Sequence, residues 1–74
     1  MKLPACSGKV AIRAFERAGW IQDRQRGSHV TLFLPGKPVV LTVPLHGELG
    51  PGLLRSLIRK AGLTVEEFQH LLRS

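Results

Sequence analysis

Apolar residues recur along this chain with two periods, one helical and one extended. From Ser7 to Ala18 the positions Val10, Ala11, Ala14, Phe15 and Ala18 fall at three- and four-residue steps, and Gly19 follows as a stop. This spacing predicts a first amphipathic helix. Three runs with strand character come next, Trp20 to Arg24, His29 to Leu34 and Val39 to Val43. Gln25-Arg26-Gly27-Ser28 and Pro35-Gly36-Lys37-Pro38 separate them as turns, so the simplest assembly is an antiparallel meander. Alternation puts Val30, Leu32 and Leu34 on one face of the second strand and His29, Thr31 and Phe33 on the other. In the third strand Val39, Leu41 and Val43 share a face opposite Val40 and Thr42.

The helical period then returns. After the loop Pro44 to Gly50, Pro51 stands where a helix tolerates proline, and Leu54, Leu57, Ile58 and Ala61 follow the i, i+3, i+4, i+7 pattern up to Gly62. Thr64 and Glu67 form a capping box, with Leu63 and Phe68 spaced as its hydrophobic staple, which predicts a short third helix from Val65 to about Leu72. No internal repeat or low-complexity segment interrupts this order. Helices on one face of a three-stranded antiparallel sheet make a two-layered α+β domain over residues 1–74. The order α-β-β-β-α, here with a short extra C-terminal helix, is that of the double-stranded-RNA-binding fold. Fold alone does not settle function.

Length and charge narrow the possibilities. A chain of 74 residues buries only about 60% of its unfolded surface, which leaves little room for a deep pocket and puts a ligand site on the surface. Eleven Lys and Arg against five Asp and Glu give a net charge of +6, which favours polyanionic partners, nucleic acid first among them. The single cysteine, Cys6, cannot close an internal disulfide, and the expected compartment is the cytoplasm. Leu3-Pro4-Ala5-Cys6 looks superficially like a lipoprotein cleavage site, but no apolar stretch precedes it, so no signal peptide is expected. Apolar runs fall far short of the ~20 residues that cross a bilayer. The three histidines and one cysteine lack metal-ligand spacing, and no P-loop-type glycine run occurs, so neither a metal nor another cofactor is expected.

The candidate chemistry centres on His29. It faces outward at the start of a strand, with Arg24 and Arg26 before the turn and Lys37 after the strand. Histidine is the one side chain that ordinarily exchanges protons near neutrality, and a proton carrier among cations suits work on a phosphodiester. Cleavage of RNA needs the 2′-hydroxyl deprotonated, the charge of the in-line intermediate stabilised and the leaving 5′-oxygen protonated. One histidine serves the first or last need, and Arg24, Arg26 and Lys37 are the nearest cations in sequence for the second. On the residues alone an outward strand histidine reads first as a solvated polar residue. His46 is either a second proton carrier or phosphate donor, or a shaper of its loop; His70 reads as a surface position. Trp20 is expected in the core, whereas Phe33 shares the outward parity of His29 and is the better contact residue for RNA or a protein partner. Lys9, Arg13 and Arg17, and likewise Arg55 and Arg59, repeat four apart as basic stripes that suit either solvent or phosphate. Ser28 as a nucleophile would need a base and an orienting acid that the sequence does not offer.

Four blocks carry a family resemblance: Gly19-Trp20; Arg24 to His29, ending in Gly27-Ser28-His29; Val43-Pro44-Leu45-His46; and Pro51 to Leu63. In order and spacing the chain resembles the HicA (YcfA-like) toxins, over nearly its whole length. Val30 stands where many members have a second histidine or another polar residue, and Leu53 where many have threonine. The resemblance implies the double-stranded-RNA-binding-like fold, a metal-independent mRNA endonuclease acting as the toxin of a type II toxin–antitoxin system, and neutralisation by a HicB-type antitoxin. It puts the catalytic histidine on His29; the RNA-binding candidates, from charge and position in the sequence, are Arg24, Arg26, Ser28, Lys37, His46, Arg55 and Arg59. The alternatives are a non-catalytic RNA-binding module of the same fold, in which His29 only contacts phosphate, and an interaction domain whose sheet face serves a protein partner.

Overall fold

A computed structural model of the chain describes residues 5–73, so Leu3 and Pro4 of the cleavage-site lookalike lie outside it. The elements are α1 (Gly8–Arg17), β1 (Ile21–Arg26), β2 (His29–Phe33), β3 (Val40–Pro44), α2 (Pro51–Lys60) and α3 (Val65–Arg73). This is the expected α+β architecture with α-β-β-β-α order and an added C-terminal helix. The three strands form one antiparallel sheet in the order β1-β2-β3. The helices form the second layer: α1 and α2 pack against β3, and α3 packs on α1 and α2.

Local chemistry sets the element ends. Ser7 caps α1 by accepting the Val10 N–H at 3.1 Å, and Gly19, at φ 102°, turns the chain after it. The Thr64–Glu67 capping box forms in both directions, with Glu67 N–H to Thr64 Oγ1 at 3.0 Å and Thr64 N–H to Glu67 Oε1 at 2.8 Å. Pro35-Gly36 makes a tight turn closed by the Lys37 N–H on the Leu34 carbonyl at 3.0 Å, with Gly36 at φ 85°. The first hairpin is tighter than the four-residue turn expected from sequence. Because β1 runs on to Arg26, only Gly27 and Ser28 connect it to His29. Gly27 at φ 61°, followed by a residue of negative φ, is the II′ arrangement that matches strand twist.

The core collects Phe15, Trp20, Val30, Leu32, Leu41, Val43, Leu54, Leu57, Ile58 and Phe68 between the layers. The rings of Phe15 and Phe68 meet at 5.2 Å, joining α1 to α3. Trp20 is buried as expected. One expectation for α1 is corrected: Val10 is 42% exposed and Ile12 only 4%. The helix begins at Gly8, so its buried stripe runs Gly8, Ala11, Ile12, Phe15, and Val10 falls beside it. Leu34 and Val39 lie beyond the paired strands; the first is half-buried and the second exposed.

Candidate functional site on the open face of the sheet

The helices cover one side of the sheet and leave the other open. On β2 the inner residues Val30 and Leu32 are buried, and His29, Thr31 and Phe33 point the other way. On β3, Leu41 and Val43 are buried and Val40 and Thr42 exposed. Strand β1 is exposed along its whole length.

Which face Arg24 and Arg26 occupy depends on one irregularity. Ile21 pairs with Phe33 and Gln22 with Leu32, but Arg24 then pairs with Thr31, Gln25 with Val30 and Arg26 with His29. Asp23 is the extra residue of a β-bulge. Strict alternation from buried Trp20 would send residues 22, 24 and 26 to the helix-covered side. The bulge resets the parity after Gln22, so both arginines emerge on the face of His29. Three cross-strand rows result: Arg26–His29–Pro44 at the hairpin end, Arg24–Thr31–Thr42 in the middle and Ile21–Phe33–Val40 at the far end.

Arg24, Arg26, His29, Thr31 and Thr42 line an open depression of about 380 Å³. Arg24 lies 3.7 Å from Asp23, both side chains largely exposed, an ion pair too weakly held to withdraw Arg24 from a phosphate. Among the described residues the exposed His29 ring makes no hydrogen bond. Thr31 lines the depression although the sequence pattern did not mark it as a binding group, its outward parity being the available signal; Thr42 is on the outward face expected of it.

The backbone around this end of the sheet is fixed by the loop after β3. Leu45 N–H donates to the Ser28 carbonyl at 2.6 Å, Gly8 N–H to the His46 carbonyl at 2.9 Å and Leu49 N–H to the Cys6 carbonyl at 2.9 Å. The hairpin turn, the loop and the start of α1 are thereby one unit. His46 thus ties the loop through its main chain, and its exposed side chain does not line the depression. Ser28 is exposed in the turn beside His29.

The remaining sequence candidates stand elsewhere. Lys37 is separated from His29 by the length of β2, four residue steps or about 13 Å plus a turn. Its ammonium lies by Gly62, 3.2 Å from where a Cβ at that glycine would stand. The expected grouping of Lys37 with His29 is therefore corrected: a short loop in sequence leads to the opposite end of the sheet. Arg55 and Arg59 are exposed on α2, in the helical layer, and do not line the depression. Among the described residues no three His, Cys, Asp or Glu side chains come together as a metal site. Burial pushes the Cys6 thiol above its usual range. No helix among the described residues is long and apolar enough to cross a membrane.

A comparison with individual curated proteins finds no match. Residues 8–63 match the sequence profile of a family described as HicA toxin of bacterial toxin-antitoxin.

Proposed function

The chain belongs to the HicA toxin family of bacterial toxin–antitoxin systems, and from that premise we propose that it is an endoribonuclease that cleaves mRNA at the open face of its sheet. The observation that carries this reading is the bulge at Asp23, which puts Arg26 directly opposite His29 and Arg24 opposite Thr31 on one exposed surface. A scissile phosphate in the depression has a proton carrier and two guanidinium groups within one pair of strands. Arginine binds phosphate through two parallel N–H groups, which orients the group as well as neutralising it.

The reaction needs no metal. The 2′-hydroxyl loses its proton, its oxygen bonds to phosphorus, and the bond to the 5′-oxygen breaks. The products are a 2′,3′-cyclic phosphate and a 5′-hydroxyl. His29 carries one proton in this sequence, either taken from the 2′-hydroxyl or given to the departing 5′-oxygen, and water serves the other step. Arg24 and Arg26 hold the charge that grows on the phosphoryl oxygens. Thr31, Thr42 and Ser28 offer neutral hydrogen-bonding groups at the rim. Arg55, Arg59, Lys37 and His46 add to the basic surface away from the cleaved bond.

The toxin is held in check by an antitoxin, and a HicB-type acidic protein fits the open face. The row Ile21–Phe33–Val40, with Ile21 46% and Val40 51% exposed, gives such a partner an apolar anchor beside the cationic depression. Bound there, it covers His29 and matches the charge of the arginines. Protection of the His29 ring from a histidine-specific reagent should rise on antitoxin binding; unchanged reactivity in the complex refutes occlusion.

The experiment for the catalytic reading is product analysis. Purified protein incubated with single-stranded RNA should yield fragments ending in 2′,3′-cyclic phosphate, and 2′-O-methyl RNA of the same sequence should stay intact. Binding of both RNAs with cleavage of neither would leave a non-catalytic RNA-binding module instead.

A further inference from the structure

The bulge gives β1 a second consequence, on the side away from His29. Gln22 and Gln25 pair with the buried residues Leu32 and Val30, so their side chains project on the helix side of the sheet. The helix layer does not bury them there: every residue of β1 is exposed. They border a groove of about 330 Å³ between β1 and α1, lined also by Lys9, Arg13 and Glu16 and floored by Ile12, Val30 and Leu45. One strand thus carries arginines on one face and amides on the other, with the cationic stripe of α1 across from the amides.

We infer that this groove binds a nucleotide of the RNA strand flanking the cleaved bond, its base on the apolar floor and its phosphate on Lys9 and Arg13. The inference rests on the reading that the chain binds RNA. The groove's size suits one nucleoside, and Ile12 and Leu45 supply apolar surface for a base. Both amides are already oriented: Gln22 Nε2 donates to Glu16 Oε2 at 3.4 Å and Gln25 Nε2 to the Gly27 carbonyl at 3.0 Å. With the nitrogens so engaged, the two carbonyl oxygens remain without a partner among the described residues. They are acceptors: adenine and cytosine offer an exocyclic amine and guanine an amine beside its N1–H, whereas uracil's one ring donor, N3–H, is flanked by two carbonyl oxygens that the amide oxygens repel. The groove therefore selects against uracil beside the cut. A strand seated on Arg24 and Arg26 reaches it by passing over the exposed edge of β1.

The test uses the full chain and uncleavable 2′-O-methyl decamers of cytidine and of uridine, with affinity measured by fluorescence anisotropy across a salt series. The cytidine decamer should bind about fivefold or more tightly than the uridine one, the effect of one or two hydrogen bonds. Gln22→Ala with Gln25→Ala should erase that difference. Lys9→Glu with Arg13→Glu should lower the slope of log K against log salt by about 1.4, two contacts on a single strand. Lys60→Glu with Arg73→Glu makes the same change in net charge elsewhere and should leave the slope nearly unaltered. Circular dichroism verifies that each variant is folded, and Lys9→Gln with Arg13→Gln repeats the test without reversed charge. If slope and base preference survive these groove variants while Arg26→Glu lowers the slope, the groove inference is overturned and the open-face reading stands. Insensitivity to Arg26→Glu as well overturns both. Loss of antitoxin binding alone, with RNA binding intact, makes the groove a protein surface and likewise overturns the inference.

Discussion

Replacing Gly8 by alanine should damage this protein well beyond what one added methyl group on a helix ordinarily does. A Cβ at Gly8 would stand 1.9 Å from the Pro44 carbonyl oxygen, 2.9 Å from its carbonyl carbon and 3.1 Å from Leu45 Cα. All three are backbone atoms, which cannot rotate aside. Restoring ordinary contact of 3.4 Å or more requires α1 and the end of β3 to part by about 1.5 Å, and a close-packed interior resists such movement. Overpacking of this kind costs about 1–3 kcal/mol. The Gly8 N–H bond to the His46 carbonyl, 2.9 Å, is strained or lost with it, for about 0.5–1.5 kcal/mol more. Alanine recovers about 0.5–1 kcal/mol through its better helix propensity. The net loss is about 2 kcal/mol, which in a domain of this size lowers Tm by about 8–16 °C. Thermal and urea unfolding measure it, with Gly52→Ala as control, since nothing lies within 4 Å of a Cβ there. Gly52→Ala should be neutral or slightly stabilising. Because Pro44 pairs with His29, Gly8→Ala should also lower RNA cleavage at temperatures where the variant remains folded. A Gly8→Ala protein within 0.5 kcal/mol of the parent, an uncertainty of about the size expected for neutral surface changes, would refute the close approach on which this reasoning depends.

Three further outcomes follow from particular contacts. Thr64→Ala removes the hydroxyl half of the α3 capping box and should cost about 0.5–2 kcal/mol in urea unfolding; no loss would mean the helix start is held by other means. Burial raises the Cys6 thiol's pKa, so at pH 8 iodoacetamide should label folded protein more slowly than urea-unfolded protein; since only the unfolded thiol ionises readily, stability should fall as pH rises through the ordinary thiol range. Deletion of Asp23 removes only the bulged residue, leaving Arg24 opposite Thr31 and Arg26 opposite His29, and should retain folding and cleavage; a folded but inactive deletion would show that the bulge positions the site by more than parity.

Much of the architecture was legible because period and punctuation agree in this chain. The Thr64–Glu67 pair, the Pro51 start and the alternation from His29 to Phe33 each depend on near neighbours, and each is present in the structure. His29 was legible for the same reason, since buried Val30 and Leu32 fix its direction. Val30 itself is part of the core. Features that depend on distant residues were not legible. The bulge at Asp23 is a matter of pairing between β1 and β2, and local alternation within β1 carries no trace of it. Gly8 reads as an ordinary helix residue until Pro44 is brought against it. Lys37 looked close to His29 because sequence distance ignores the length of a strand.

The central claim, that His29 is the proton carrier of an RNA-cleaving site, is tested most directly by the cleavage rate of His29→Ala. The residue is exposed and its ring makes no hydrogen bond among the described residues, so the variant should match the parent in circular dichroism and urea unfolding. Its rate on single-stranded RNA should fall by about 10²- to 10⁴-fold, the contribution of one positioned acid–base group. A folded His29→Ala protein that cleaves RNA at the parent rate would contradict the account.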